Sequence, residues 1–356
     1  MPLSTFNFER VIPDQPWRRI GIPVAIVTAV CAIGWEVFVR SLGYSTTLND
    51  TPDLWAQTRE SVKPDSIVIV GDSRPLFDMD LDVLQKAFGK RPIQLALAGS
   101  CAYPVLADLA NDESFHGTVV CGVVPGMFFA PAGPLLETSE MALKRYRNWT
   151  PAQRMSHQLG MWLEERVAFL KADELNLGAL LARLPIPNRA KAQLPPLLPP
   201  YFATVERDRR VRLWAECAQP GPLQTRVREG WLPLFTPPPP PSYIPQEAFF
   251  AEMGKKIEAR FKDTVAAVDK IRARGGRVVF VRFPMTGKLK EHEDRTQPRS
   301  GAWTRLLAET NAPGIYFEDY PELANFQCPE WSHLSAADSI EFTRRLVPHL
   351  RDALSN

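Results

Sequence analysis

Ile67-Val68-Ile69-Val70-Gly71-Asp72-Ser73-Arg74 is an apolar, β-branched run that stops at a Gly-Asp-Ser turn. The run reads as a buried strand. Gly71 lets the backbone turn sharply where the strand ends. Ser73 then sits at the carboxyl end of a parallel strand, where open α/β sheets place their ligands. Two further apolar runs follow at residues 93–98 and 118–124, separated by stretches with helical spacing. This βαβαβ alternation of short, continuous apolar strands predicts an α/β domain with a parallel sheet covered on both faces.

A serine alone is a poor nucleophile. It needs a base, and the base needs a group that holds its tautomer and stabilises its charged form. Near the other end of the chain, Glu330-Trp331-Ser332-His333 offers both. A turn brings side chains three residues apart to one side of the backbone. His333 is the candidate base and Glu330 the candidate orienter. Taken singly, Ser73 also reads as a turn or cap serine and His333 as a hydrogen-bonded surface histidine. Taken together, they point to nucleophilic catalysis.

These residues resemble the motif blocks of the SGNH/GDSL hydrolase superfamily. Gly71-Asp72-Ser73 matches its first block, with Ser73 as nucleophile. Ala98-Gly99-Ser100 is similar to the second block, whose glycine amide serves the oxyanion hole. Glu330-x-x-His333 resembles the last block, with Glu where the family usually has Asp. The third block carries an Asn, and the stretch at residues 119–126 has none. The resemblance spans about residues 60–130 and 265–350 and implies a three-layer, flavodoxin-like parallel sheet. It also implies an oxyanion site built on the amides of Ser73 and Gly99. Arg74 and Arg282 are candidates to supply positive charge in place of the missing Asn, or to bind an acidic substrate. The alternative for both is an ordinary salt bridge to Asp72 or another carboxylate. The G-x-S-x-G elbow of α/β-hydrolases is absent, because position 75 is proline.

Residues 20–35 carry no charge, and Glu36 is followed by Val37-Phe38-Val39. As a helix, residues 20–39 would be about 30 Å long, near the thickness of a bilayer core. Trp17 and Trp35 suit its interfaces. Glu36 is an imperfection that headgroup depth would tolerate. No A-x-A cleavage site follows, and Val30 stands before Cys31 where a lipobox needs a small residue. A retained single anchor is therefore expected. Arg10, Arg18 and Arg19 precede it and Arg40 follows, so the positive-inside rule puts the tail in the cytoplasm and the domain outside. In a Gram-negative cell this means the inner membrane and the periplasm.

The 356 residues are 45% hydrophobic with net charge +2, which suits one globular domain with an insertion plus the anchor. The near-zero balance argues against a nucleic-acid binder. No CxxC or HExxH pattern is present, so no metal and no cofactor is expected. Beyond Cys31, the four cysteines Cys101, Cys121, Cys217 and Cys328 read as small buried thiols.

The expected layout is a cytoplasmic tail at 1–19, the anchor at 20–39 and a polar linker at 40–60. The catalytic domain would take 61–136 and 246–356, interrupted by a helical and proline-rich insertion at 137–245. Two helices are expected within 137–184. From Leu184 to Pro245 proline is dense, including the run at 237–241, and such a segment reads as extended chain that carries no sheet ladder. Its bland reading is a solvated insertion, and its functional reading is a lid, groove or docking surface. Trp214, Trp231, Phe235 and Tyr243 suit either stacking on sugars or packing onto the core. Arg207, Arg209, Arg210 and Arg212 alternate with Glu206, Asp208 and Glu216, the pattern of a solvated mixed-charge face. Beyond the insertion, a long helix at 246–274, strands at 277–283 and 314–318, and a helix at 303–310 lead to a final helix capped by Ser335.

Three functions follow. The resemblance to membrane-tethered members implies an acyltransferase that acetylates a cell-envelope or exported polysaccharide through acyl-Ser73. Such proteins work beside multispanning membrane O-acyltransferases. The same residues suit an esterase that deacylates carbohydrate or lipid. The third is a non-catalytic assembly partner of such an acyltransferase.

Overall fold

The computed structural model describes residues 16–171, 202–236 and 243–355. The opening stretch forms β1 (Ile67–Val70), with its last three residues buried. It pairs in parallel with β2 (Ile93–Gln94) on one side and β3 (Thr118–Gly122) on the other. A short antiparallel hairpin follows, β4 (Ala203–Val205) and β5 (Val211–Leu213). Then β6 (Arg277–Arg282) pairs in parallel with β3, and β7 (Gly314–Tyr316) with β6. The main sheet thus has five parallel strands in the order β2-β1-β3-β6-β7.

Chain direction across the sheet reverses between β1 and β3, and this opens a crevice outside their carboxyl ends. Gly71 and Gly122 line its floor. A side chain on Gly71 would lie 2.3 Å from Pro75, and one on Gly122 would lie 2.5 Å from the same ring. The first turn after β1 therefore sits directly on the backbone of β3.

Helices cover both faces. Tyr103–Asn111 packs on Gln246–Ala273, which also meets Ala302–Thr310. The final helix, Ala336–Ser355, packs on Ser73–Asp78 and Leu81–Phe88. It buries Phe342, Leu346 and Leu350, with Ser335 Oγ accepting from the Asp338 amide at 3.1 Å. Asp80 caps Leu81–Phe88 by accepting from Asp82 and Val83, both at 3.0 Å. Cys101, Cys121, Cys217 and Cys328 are buried free thiols.

The helix Trp17–Ser41 has mean hydropathy 2.1 in its most apolar stretch and is long and apolar enough to cross a membrane. Its end does not hang free. Glu36 accepts from the amides of Ala168 at 2.9 Å and Phe169 at 3.2 Å, and pairs with Arg40 at 2.6 Å. The imperfection in the apolar run is thus the group that fastens the helix to the domain.

Three expectations are corrected. Part of the stretch read as a polar linker is the helix Pro52–Glu60, capped by Thr51 with Pro52 opening it. It buries Trp55, whose indole donates to the Leu95 carbonyl at 2.9 Å. Second, the proline-dense segment does carry a ladder, because prolines flank β4 and β5 and none lies inside them. Thr47 and Leu48 extend this hairpin by bonding to Val205. Third, Arg209 does not belong to a solvated face. It is fully buried, donates to both oxygens of Asp50 at 2.7 and 2.8 Å, and also reaches the carbonyls of Gln94 and Ala96. Four acceptors offset the cost of burying the guanidinium. The expected helices of 137–184 are Pro134–Arg147 and Pro151–Glu164. The proline runs at 195–200 and 237–241 lie outside the described residues.

Candidate active site

Ser73 opens the helix Ser73–Asp78, directly after the turn that leaves β1. Asp72 is its cap, accepting from the Arg74 amide at 2.8 Å. Burial pushes the Asp72 carboxyl above its ordinary range. The second residue of Gly-Asp-Ser therefore shapes the turn, and the third presents the hydroxyl.

His333 Nε2 lies 2.8 Å from Ser73 Oγ, and His333 Nδ1 lies 2.9 Å from Glu330 Oε1. The histidine and the glutamate are fully buried, whereas Ser73 is partly open. The relay runs from the interior outward and ends at an accessible hydroxyl. Glu330 Oε1 also accepts from the backbone amides of Ser332 and His333. An acceptor used in this way leaves the shared proton on Nδ1, so Nε2 is free to take the serine proton.

The sheet makes this meeting geometric. β7 leads through the loop at 328–334 into the final helix, and both flank the carboxyl edge that carries Ser73. The loop is held tightly. Trp331 adopts φ +83°, a left-handed conformation that costs a non-glycine residue about 1 kcal/mol or more. Its carbonyl accepts from Thr286 at 2.9 Å, and its ring lies against Gly287, where any Cβ would come within 2.5 Å. Leu334 donates to Asp78 at 2.8 Å, tying the neighbour of His333 to the end of the helix that Ser73 opens. Burial raises the Asp78 carboxyl well above its ordinary range, and its other oxygen is buried without a hydrogen bond.

Sequence reasoning named Trp231 only as an aromatic of the insertion. Its indole donates to Glu330 Oε2 at 2.8 Å and to the Glu330 carbonyl at 2.9 Å. Nearby, Arg228 donates to the Pro329 carbonyl at 2.9 Å. Phe77 stacks on His333 at 4.3 Å, and Phe202 and Trp231 stand 5.6 and 6.1 Å from it. The insertion thus builds one wall of the site and fills the acid's second oxygen. The signal was in the sequence only as composition, because the distance from 231 to 330 carries no periodicity.

Arg74 and Arg282 take the salt-bridge alternative. Both guanidiniums are buried and both pair with Glu293, a residue that sequence reasoning did not single out. Each also reaches the Met285 sulfur, and Arg282 donates to the Val123 carbonyl at 3.2 Å. The two arginines hold the Glu293 carboxyl down at about 2 despite its burial. This triad sits beneath the site and joins the turn after β1 to the end of β6. Both guanidiniums are buried and committed to the same carboxylate, so the expectation that either arginine faces an oxyanion or substrate is corrected.

Gly99 lies in an exposed turn with φ +61° and open space around it. The turn follows the bond from the Leu97 amide to the Gly71 carbonyl at 3.0 Å. That bond continues the pairing of β1 past its own end, two residues before Gly99. Where an Asn was sought after β3, Val124 and Pro125 are buried. The exposed Gly126 amide there donates to Gln297 Oε1 at 2.7 Å. No family model, curated protein or solved structure matches the chain.

Proposed function

We propose that this protein is a membrane-anchored serine acyl-transfer enzyme of the SGNH type, with Ser73 as nucleophile, His333 as base and Glu330 as orienter. The observation that carries the reading is the relay Glu330–His333–Ser73, at 2.9 and 2.8 Å. The strand order, with the hairpin set aside, follows the flavodoxin-like 2-1-3-4-5 pattern and supports the same reading.

In the proposed reaction, Ser73 Oγ attacks an ester carbonyl as His333 takes its proton. The amides of Ser73 and Gly99 stabilise the oxyanion. His333 then gives the proton to the leaving alkoxide, and an acyl-Ser73 ester remains. A second hydroxyl takes the acyl group by the reverse sequence. A sugar hydroxyl makes the enzyme an O-acetyltransferase of an envelope polysaccharide, and water makes it an esterase. The apolar rings of Phe77, Phe202 and Trp231 pack around the base, and they do not choose between the two acceptors. The apolar helix at the N-terminus agrees with a tethered domain; on this reading the domain is extracytoplasmic and receives its acyl groups from a multispanning membrane acyltransferase.

The test is to incubate the full chain in detergent with an activated acetyl ester and read intact mass. A single acetyl adduct that is lost in Ser73→Ala supports the reading. Absence of both adduct and turnover would point to the assembly-partner role instead. Added glycans then separate transfer from hydrolysis.

A further inference from the structure

The helix Pro151–Glu164 presents Met155, Leu159, Trp162 and Leu163 to the outside, at 64, 58, 52 and 42% exposure. Positions 155, 159 and 162 form one stripe at helical spacing, and 163 borders it. Met141, on the preceding helix, is also 58% exposed. The opposite face of Pro151–Glu164 turns inward: Met161 is buried, and Glu164 accepts from the Asn49 amide at 2.9 Å. An apolar patch of this kind on a folded domain calls for an occupant.

What covers it follows from the position of the N-terminal helix. Residues 166–169, directly after Pro151–Glu164, dock on the last turns of Trp17–Ser41. Glu36 takes the amides of Ala168 and Phe169, Arg40 donates to the Arg166 carbonyl at 3.1 Å, and Val39 is buried against Ala168. The exposed apolar surface of Trp17–Ser41 runs up to Val37 and Phe38 at this same level. If that helix crosses a bilayer, its polar end at Glu36 and Arg40 marks the headgroup layer. Trp162 and Leu163 lie within a few residues of that mark. Arg166 stacks over Trp162 at 4.5 Å, a cation and an indole suited to the interface.

We propose that Pro151–Glu164 lies on the surface of the bilayer that Trp17–Ser41 crosses, with Met155, Leu159, Trp162 and Leu163 inserted among the lipids. The proposal rests on reading Trp17–Ser41 as a membrane span. It converts a single anchor into a two-point attachment, because the domain is then held by the span and by an amphipathic helix joined to its end. The site's wall belongs to the same insertion, through Phe202 and Trp231, so the attachment sets the orientation of the site relative to the membrane.

The experiment uses the full chain in vesicles of phosphatidylethanolamine and phosphatidylglycerol, with no other protein present. One sample carries a nitroxide on native Cys31, the exposed thiol within the span. A second carries it on Leu159→Cys in a Cys31→Ala background. Collision with oxygen, which partitions into lipid, is compared with collision with a water-soluble nickel chelate. The expected result is that oxygen exceeds nickel several-fold at both positions, with Leu159 shallower than Cys31. Lipid exposure at Cys31 with nickel access at Leu159 overturns the proposal and leaves the span standing; it also leaves room for a protein partner on this face. Shielding from both reagents at Leu159 overturns it too, since protein then covers the stripe. Nickel access at Cys31 overturns the span and the proposal with it.

Discussion

His333 Nε2 stands 2.8 Å from Ser73 Oγ although 260 positions separate the two residues. The contact is made by rigid elements at both ends. Ser73 begins a helix that Asp72 caps, and His333 ends a loop fastened by Glu330, Asp78 and the carbonyl of Trp331. Under the proposed function, groups held in this way would lose little entropy when they react.

Glu330→Gln keeps the shape of the acid but offers a neutral partner to the imidazole. Turnover of an activated ester should fall about 10⁴-fold, with the fold intact, by analogy with amide substitution of a triad carboxylate. Steady-state kinetics and circular dichroism together check this. Unchanged turnover would show that another group orients His333.

Trp231→Phe keeps the ring beside His333 and removes the donor to Glu330 Oε2. A hydrogen bond to a charged group contributes about 1.5–3 kcal/mol, so kcat should fall about 10- to 100-fold while KM changes little. A loss confined to KM would place Trp231 on the substrate and not on the acid.

Glu293 should govern stability in acid. Its carboxyl is held at about 2 by Arg74 and Arg282, below the value of about 4.3 expected unfolded. The stabilisation is complete above the unfolded value and is lost as pH falls toward the folded one. Glu293→Gln leaves two buried guanidiniums uncompensated and should cost about 3–5 kcal/mol at neutral pH. The gap between wild type and variant should narrow between pH 4.5 and 2, as read by urea denaturation in detergent. A constant gap would remove the triad from the pH response.

Arg209→Met should loosen the hairpin β4–β5. It strips Asp50 of its partner and leaves the carbonyls of Gln94 and Ala96 without their donor. Hydrogen exchange should rise over residues 203–213, and turnover should drop as the wall at Phe202 shifts. Arg209→Lys should recover only part of this, since an ammonium cannot match the fork. Unchanged exchange in Arg209→Met would show that packing alone holds the hairpin.

Local patterns carried much of this protein. Apolar runs at 67–70, 119–121 and 278–281 announced parallel strands, because a strand buried on both faces needs apolar residues along its length. Glu330-x-x-His333 announced its own hydrogen bond, since a turn suffices to make it. The misread segments were those whose meaning depends on distant partners. The exception is Thr51-Pro52, a helix start legible from local sequence inside a presumed linker. Arg209 looked solvated because its mixed-charge neighbours are, and its burial depends on Asp50 and on the carbonyls of Gln94, at the end of β2, and Ala96, just beyond it.

The strands of the main sheet, the Gly-Asp-Ser turn and the contact between Glu330 and His333 were thus written in short stretches of chain, where period and turn chemistry act over a few residues. Tertiary structure alone decided the rest. Assembly of the sheet and its flanking helices brought His333 to Ser73. It seated Arg74 and Arg282 on Glu293 instead of on a substrate, and it placed Trp231 on the acid. The physical reason is that a charge or an indole N–H has no intrinsic destination. Its role is set by which buried acceptor the folded chain brings within about 3 Å.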